Sequence, residues 1–189
     1  MRRLALLLAP LVLLSLPACS DGNGSGDMNL GVNAAGTGHL EVRLTDAPLD
    51  LATAANVWVL IDSVAVTPEG TSGGEEMPPI PLSMTPGEFD LLTLTGGATT
   101  LLASGDLPVG RYSKIWMHVP SGRIVFLDGR EEPLKLDSQK VDVPIAFDLS
   151  LDENLQTVLD FDAEASIQVN GTANETYILR PVVTPVSNP

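Results

Sequence analysis

Three carboxylates, Asp160, Asp162 and Glu164, alternate within one short stretch of the sequence. If that stretch is extended, they share one phase of a strand and stand about 7 Å apart, opposite an apolar row running from Leu159 to Val169. Like charges that close destabilise one another unless a cation or a basic side chain lies between them. Ca²⁺, which takes roughly six to eight oxygen ligands, would suit them, with Asp46 and Asp50 as further oxygens. The competing reading is a solvated strand face with Arg43, Arg111 or Lys114 as counter-charge, since no EF-hand spacing is present. Asp46 also has a structural reading: an acid just before Ala47-Pro48 can accept backbone amides and fix the chain as it leaves a strand.

Catalytic constellations are absent from the pattern. His39 and His118 are the only imidazoles, and their spacing suggests no zinc site. No G-x-S-x-G turn exists to strain a serine into a nucleophile, and Ser121-Gly122 near His118 carries no such signature. No enzymatic activity is therefore expected. Trp58, Trp116, Phe126, Phe147 and Phe161 all fall in strand-like stretches, where core filling explains them. Tyr112 and Trp116 share one phase of a strand, so an exposed pair that stacks on sugar rings is the alternative reading.

The elements that would position these groups read as strands. Leu40, Val42 and Leu44 alternate with Glu41, Arg43 and Thr45, as in a half-buried strand. Val57–Val66 is apolar on both phases except at Asp62 and Ser63, which predicts a central strand covered on both sides. Leu107-Pro108-Val109-Gly110 is a turn launching Arg111–Val119. Asp128-Gly129 predicts a type I′ hairpin between Ile124–Leu127 and Arg130–Leu136. Period-two patterns run through Val141–Leu151 and Leu155–Val169, and Tyr177–Val183 closes the unit, with Pro181 marking an edge. The helical candidates are Leu51–Asn56 and Ala98–Ser104, and Thr71–Pro81 reads as a long irregular loop. Seven or eight strands without long amphipathic helices predict an all-β fold, an antiparallel Greek-key-type β-sandwich.

The 189 residues are enough for one domain plus appendages. Arg2 and Arg3 precede an eleven-residue, largely apolar run, Leu4–Leu14, too short to cross a bilayer as a helix and laid out like an export signal. Leu16-Pro17-Ala18-Cys19 resembles the lipobox of bacterial lipoproteins, in which cleavage precedes the cysteine and its thiol is acylated. Cys19 is the only cysteine in the chain, which excludes an intramolecular disulfide. The expected organisation is a signal peptide over 1–18, a lipidated Cys19 with a glycine-rich linker over 19–38, the sandwich over 39–185 and a tail over 186–189. Losing Arg2 and Arg3 leaves eight basic against 24 acidic side chains, a net charge of −16. Such a surface repels phosphate backbones, so nucleic acid is not an expected partner.

Several of these segments together resemble the bacterial lipoprotein family called domain of unknown function 4382. They are Leu44-Thr45-Asp46-Ala47-Pro48, Leu107–Tyr112, Leu159–Ala163 with Ser166-Ile167, and Leu179–Val183. The resemblance implies an exported, lipid-anchored β-sandwich and transfers no activity, substrate or catalytic residue. The expected function is a non-catalytic envelope module, on the outer membrane if the host has two membranes, binding protein or polysaccharide. A calcium-dependent adhesion module, a structural envelope subunit and an envelope enzyme with a loop-borne site are the alternatives.

Overall fold

The computed structural model describes residues 36–46, 53–72, 74–170 and 176–186. Cys19, the signal segment, Asp50, the Ala47-Pro48 turn and the 186–189 tail beyond Val186 lie outside them. The strands are β1 (Thr37–Thr45), β2 (Ala54–Ile61), β3 (Ser63–Pro68), β4 (Thr71–Ser72), β5 (Glu75–Glu76), β6 (Ile80–Pro81), β7 (Gly87–Asp90) and β8 (Thr100–Pro108). They continue as β9 (Gly110–His118), β10 (Ser121–Phe126), β11 (Glu131–Leu136), β12 (Lys140–Leu149), β13 (Asn154–Phe161), β14 (Ile167–Asn170), β15 (Thr176–Leu179) and β16 (Val183–Val186). A 3₁₀ turn, Leu91–Leu94, and a single helical turn, α1 (Ala163–Ser166), are the helical pieces among the described residues.

The fold is all-β and sandwich-like. Its three main sheets run β16-β13-β1-β8, β14-β15-β11-β10-β2-β7 and β12-β9-β3-β6, and β4 and β5 form a two-residue hairpin. The last two main sheets share one sharply bent antiparallel meander, because β2 runs into β3, β9 into β10 and β11 into β12, with matching partners on each side of the bend. Hydrogen bonds staple the crease: Asp62 N–H donates to His118 O (3.3 Å), Val119 N–H to Gln139 O (2.7 Å) and Gln139 Nε2 to Pro120 O (3.1 Å). A bridge between Ser83 and Ser104 then joins the meander to β8. One apolar cluster draws on all three sheets, from Leu40, Val42 and Leu44 to Val57, Ile115, Val143, Leu159 and Phe161.

The bend corrects the reading of Val57–Val66 as one central strand. Val57, Val59 and Ile61 are buried, then Val64 and Val66, so the inward phase switches across Asp62 as the chain changes sheet. A run that is apolar on both phases thus supplies the inner faces of two sheets in turn.

Other expectations change in the same way. Pairing is mostly antiparallel, but β1·β13 and β11·β15 are parallel. Ala98–Ser104 is not helical: Thr100 onward is β8, held against β1. In Leu51–Asn56, the described end is already strand, since β2 starts at Ala54. Thr71–Pro81 contains the three short strands β4, β5 and β6. The Asp128-Gly129 hairpin forms, but with a three-residue loop: Phe126 N–H donates to Arg130 O (2.9 Å), and only Gly129 has positive φ (85°), where type I′ needs two such residues. Period two over Leu155–Val169 breaks at α1, where Ala165 is exposed and Ser166 fully buried.

Candidate binding surface

The break at α1 scatters the acidic row. Asp160 stays on β13, between Thr45 of β1 and Thr184 of β16. Asp162 is the N-cap of α1, its Oδ1 accepting the Ala165 amide at 2.8 Å, and Glu164 points out from the helical turn. Side chains advance about 100° per residue in a helix against about 180° in a strand, so the three carboxylates no longer share a face. Asp46 Oδ1 accepts the buried Ala163 amide at 3.0 Å. It thus bonds a backbone amide distant in sequence, while the Ala47-Pro48 turn itself lies outside the described residues. Among the described residues no group of three or more His, Cys, Asp and Glu side chains converges as a cation site would require.

The family-like segments instead build a corner. Leu44 and Thr45 lie in parallel register with Leu159 and Asp160. Thr45 Oγ1 sits 3.0 Å from Leu94 O and 2.8 Å from Ala98 O, tying the end of β1 to the 3₁₀ turn. Ser166, fully buried, donates to Asp162 O and accepts the Val182 amide at 2.8 Å, while Asp162 N–H donates to Val182 O at 3.0 Å. Three stretches far apart in the sequence are thereby locked through backbone groups that would otherwise be buried unpaired. Their roles are architectural.

Tyr112 is likewise structural, which corrects its placement on an exposed surface. The pairing of β9 slips near Ser113 against both neighbours, since Lys114 faces Pro144 and Thr67 whereas Tyr112 faces Phe147 and Pro68. That irregularity turns Tyr112 inward while Trp116 stays on the opposite face. Tyr112 is 0% exposed, stacks on Phe147 with ring centroids 5.1 Å apart, and donates its hydroxyl to Pro108 O at 2.7 Å. Burial pushes its pKa up to about 12. The Leu107–Tyr112 segment is therefore a corner pinned by its own tyrosine, where the chain passes from β8 to a different sheet.

Trp116 is partly exposed and stands outside the apolar cluster, on the outer face of β12-β9-β3-β6. Three cross-strand rows form this face: Ser63, His118 and Lys140; Ala65, Trp116 and Asp142; Thr67, Lys114 and Pro144. Lys140 Nζ lies 5.8 Å from the Trp116 ring centroid and 3.1 Å from Asp142 Oδ1. His118 Nδ1 is 2.7 Å from Asp62 Oδ1, and Lys114 Nζ is 2.9 Å from Glu76 Oε1. The indole Nε1 is buried with no hydrogen-bond partner among the described residues. The arrangement is one aromatic ring rimmed by donors and acceptors of both signs on a pleated sheet, able to stack on a sugar face or a planar side chain while hydrogen-bonding its edges.

Sequence reasoning passed over a second ring of this kind. Trp58, assigned to the core, lies outside the cluster on the outer face of the six-stranded sheet, with the Arg123 guanidinium 5.1 Å from its centroid. Arg123 also pairs with Glu88 and, at 2.8 Å, with Glu131. The available signal was phase: Trp58 alternates with the buried Val57 and Val59, and so must point away from them.

A mostly antiparallel all-β domain, with buried polar clamps at its corners and a tryptophan on each of two sheet faces, defines the class. Residues 37–181 match the model of the family described as domain of unknown function (DUF4382), and the chain belongs to that family. No curated protein and no solved structure was found to match it.

Proposed function

We propose that this protein is a lipid-anchored lipoprotein of the bacterial cell envelope, exported by residues 1–18, acylated at Cys19 and sorted to the outer membrane. Its all-β domain is a non-catalytic module that binds polysaccharide or protein through the outer face of β12-β9-β3-β6. The observation that carries the binding reading is Trp116, kept out of the core and framed by Lys140, Asp142 and His118. Such a surface suits recognition, because the ring supplies contact area at low entropic cost and the rim supplies direction.

Two measurements test this reading separately. Cys19→Ala should move the protein from the membrane to the soluble fraction, since several acyl chains anchor stably where one is marginal; retention of the variant in the membrane would overturn lipidation. Trp116→Ala should abolish retention on immobilised envelope polysaccharide or capture of envelope proteins, with a thermal midpoint close to that of the unaltered protein. Equal binding by Trp116→Ala would place the surface elsewhere.

A further inference from the structure

The platform at Trp116 continues into a pocket. Asp142, the register partner of Trp116 on β12, and Lys140, whose Nζ lies 5.8 Å from the ring centroid, also line a cavity of about 250 Å³ with Asp137, Ser138, Arg180 and Pro181. Arg180 Nε donates to Asp137 Oδ2 at 2.8 Å and its Nη1 to Gln168 Oε1 at 2.8 Å, and Lys140 Nζ pairs with Asp142 Oδ1 at 3.1 Å. These two ion pairs are open to solvent, their four side chains being 45–56% exposed. Two cations and two carboxylates cancel here, in a chain whose formal net charge is −14. The walls are set in advance: Ser138 Oγ donates to Lys140 O at 3.0 Å and accepts the Lys140 amide at 3.2 Å, Gln139 is tied to Val119 and Pro120, and the Arg180 amide donates to Ser166 O at 2.8 Å.

We propose that this pocket is a second sugar subsite and that the ligand of the Trp116 face is a neutral polysaccharide, with one ring stacked on the indole and the next held in the pocket. The inference rests on the reading of Trp116 as a binding platform. Trp116 and Asp142 face each other across strands about 5 Å apart, so the two subsites adjoin as linked rings do. A hydroxyl both donates and accepts, so neighbouring hydroxyls on one ring match a carboxylate beside a cation. Asp137 bonds Arg180 through Oδ2 and Asp142 meets Lys140 through Oδ1, so each carboxylate keeps a second oxygen to accept from a ligand hydroxyl, while the guanidinium and the ammonium donate. Charge decides between ligand classes. A polyanion is repelled by the chain as a whole and meets Asp137 and Asp142 in the pocket, and a basic peptide meets Lys140 and Arg180. An uncharged chain of hydroxyls meets neither penalty, and the pinned 138–140 loop lowers the entropic cost of binding it.

Titration of the full chain in detergent with neutral sugars tests the assignment, using glucan, mannan, galactan, xylan and chitin series from the single sugar to the hexasaccharide, with polygalacturonate as the charged control. At least one neutral series should bind, with affinity rising at least about tenfold from the single sugar to the trisaccharide as the second subsite fills. Arg180→Ala and Asp137→Ala should each weaken oligosaccharide binding by about tenfold or more and leave the single sugar unaffected, whereas Trp116→Ala should lose both. Asp137→Ala leaves Arg180 bonded to Gln168, which keeps the test open if Arg180→Ala does not fold. Binding to polygalacturonate alone, or to no series at all, overturns the neutral polysaccharide. Undiminished oligosaccharide binding by the two pocket variants, with loss in Trp116→Ala, overturns the second subsite while the platform stands. Undiminished binding by Trp116→Ala removes the platform itself, and the subsite with it.

Discussion

Asp46, Ser166 and Tyr112 are polar groups with little or no exposure, and each bonds backbone that the core would otherwise strand. Removing one partner of such a bond costs the desolvation of the other, about 1–3 kcal/mol. Asp46→Ala should therefore lower stability to urea by about that amount, whereas Asp46→Asn, which keeps an acceptor for the Ala163 amide, should lose less; equal losses would show that acceptance by Asp46 is not what matters. Tyr112 adds a pH dependence. Its folded pKa of about 12 lies above the unfolded value near 10, so the unfolded chain gives up the proton first. The contribution is complete below about pH 10 and is lost as pH rises towards 12, on the order of 2–3 kcal/mol. Tyr112→Phe should flatten that alkaline decline, measured by urea titration at several pH values, while costing about 1 kcal/mol at neutral pH through the lost bond to Pro108. Asp128 sits on the exposed surface, and its carboxyl is held below the usual range by hydrogen bonds from Arg130.

Among the elements, β1 has the most constrained surroundings. It lies between β8 and β13, and its first turn of chain packs against the end of β12 at Gly38. A Cβ there would press on the Ser150 carbonyl, which is backbone and cannot swing away. Gly38→Ala should cost about 2–3 kcal/mol. For a domain of this size that is a fall of roughly 5–10 °C in thermal midpoint by calorimetry. Gly122→Ala on β10 should cost less. Its neighbours at 3.1–3.3 Å include the side-chain tips of Leu134 and Leu179 as well as the Trp58 carbonyl, and the tips can shift. If the two glycine variants were equally stable, the close approach of β1 to β12 would be in error.

At the scale of the whole molecule, three sheets close on one apolar cluster, and the bent meander belongs to two of them at once. Neither half can unfold without exposing the inner face of the other, so unfolding should be cooperative. The two tryptophans report on different sheets, which makes this measurable: Trp58→Phe leaves Trp116 fluorescence on one sheet, and Trp116→Phe leaves Trp58 on the other. Each should give the same midpoint as circular dichroism of that variant. Separated midpoints within one variant would show two folding units.

What could be read from the residues alone was set by local chemistry. Period-two alternation and turn residues determined that the chain is all-β, and Leu44-Thr45-Asp46, Leu107–Tyr112 and Leu159–Ala163 marked the family now matched over residues 37–181. Side-chain phase over four to eight residues is a property of the strand itself and needs no partner. The tertiary structure decided everything that depends on where a phase changes. A one-residue shift at Asp62 divides one predicted strand between two sheets, a slip in pairing at Ser113 turns Tyr112 inward, and one helical turn at Ala163–Ser166 disperses the acids that had suggested calcium. Such shifts move side chains between faces at almost no local cost, and the contacts that settle them come from residues as distant as Asp46 and Ala163. The fold class was therefore legible in the sequence, whereas the candidate surface emerged only once packing had shown that Trp116 and Trp58 lie outside the core.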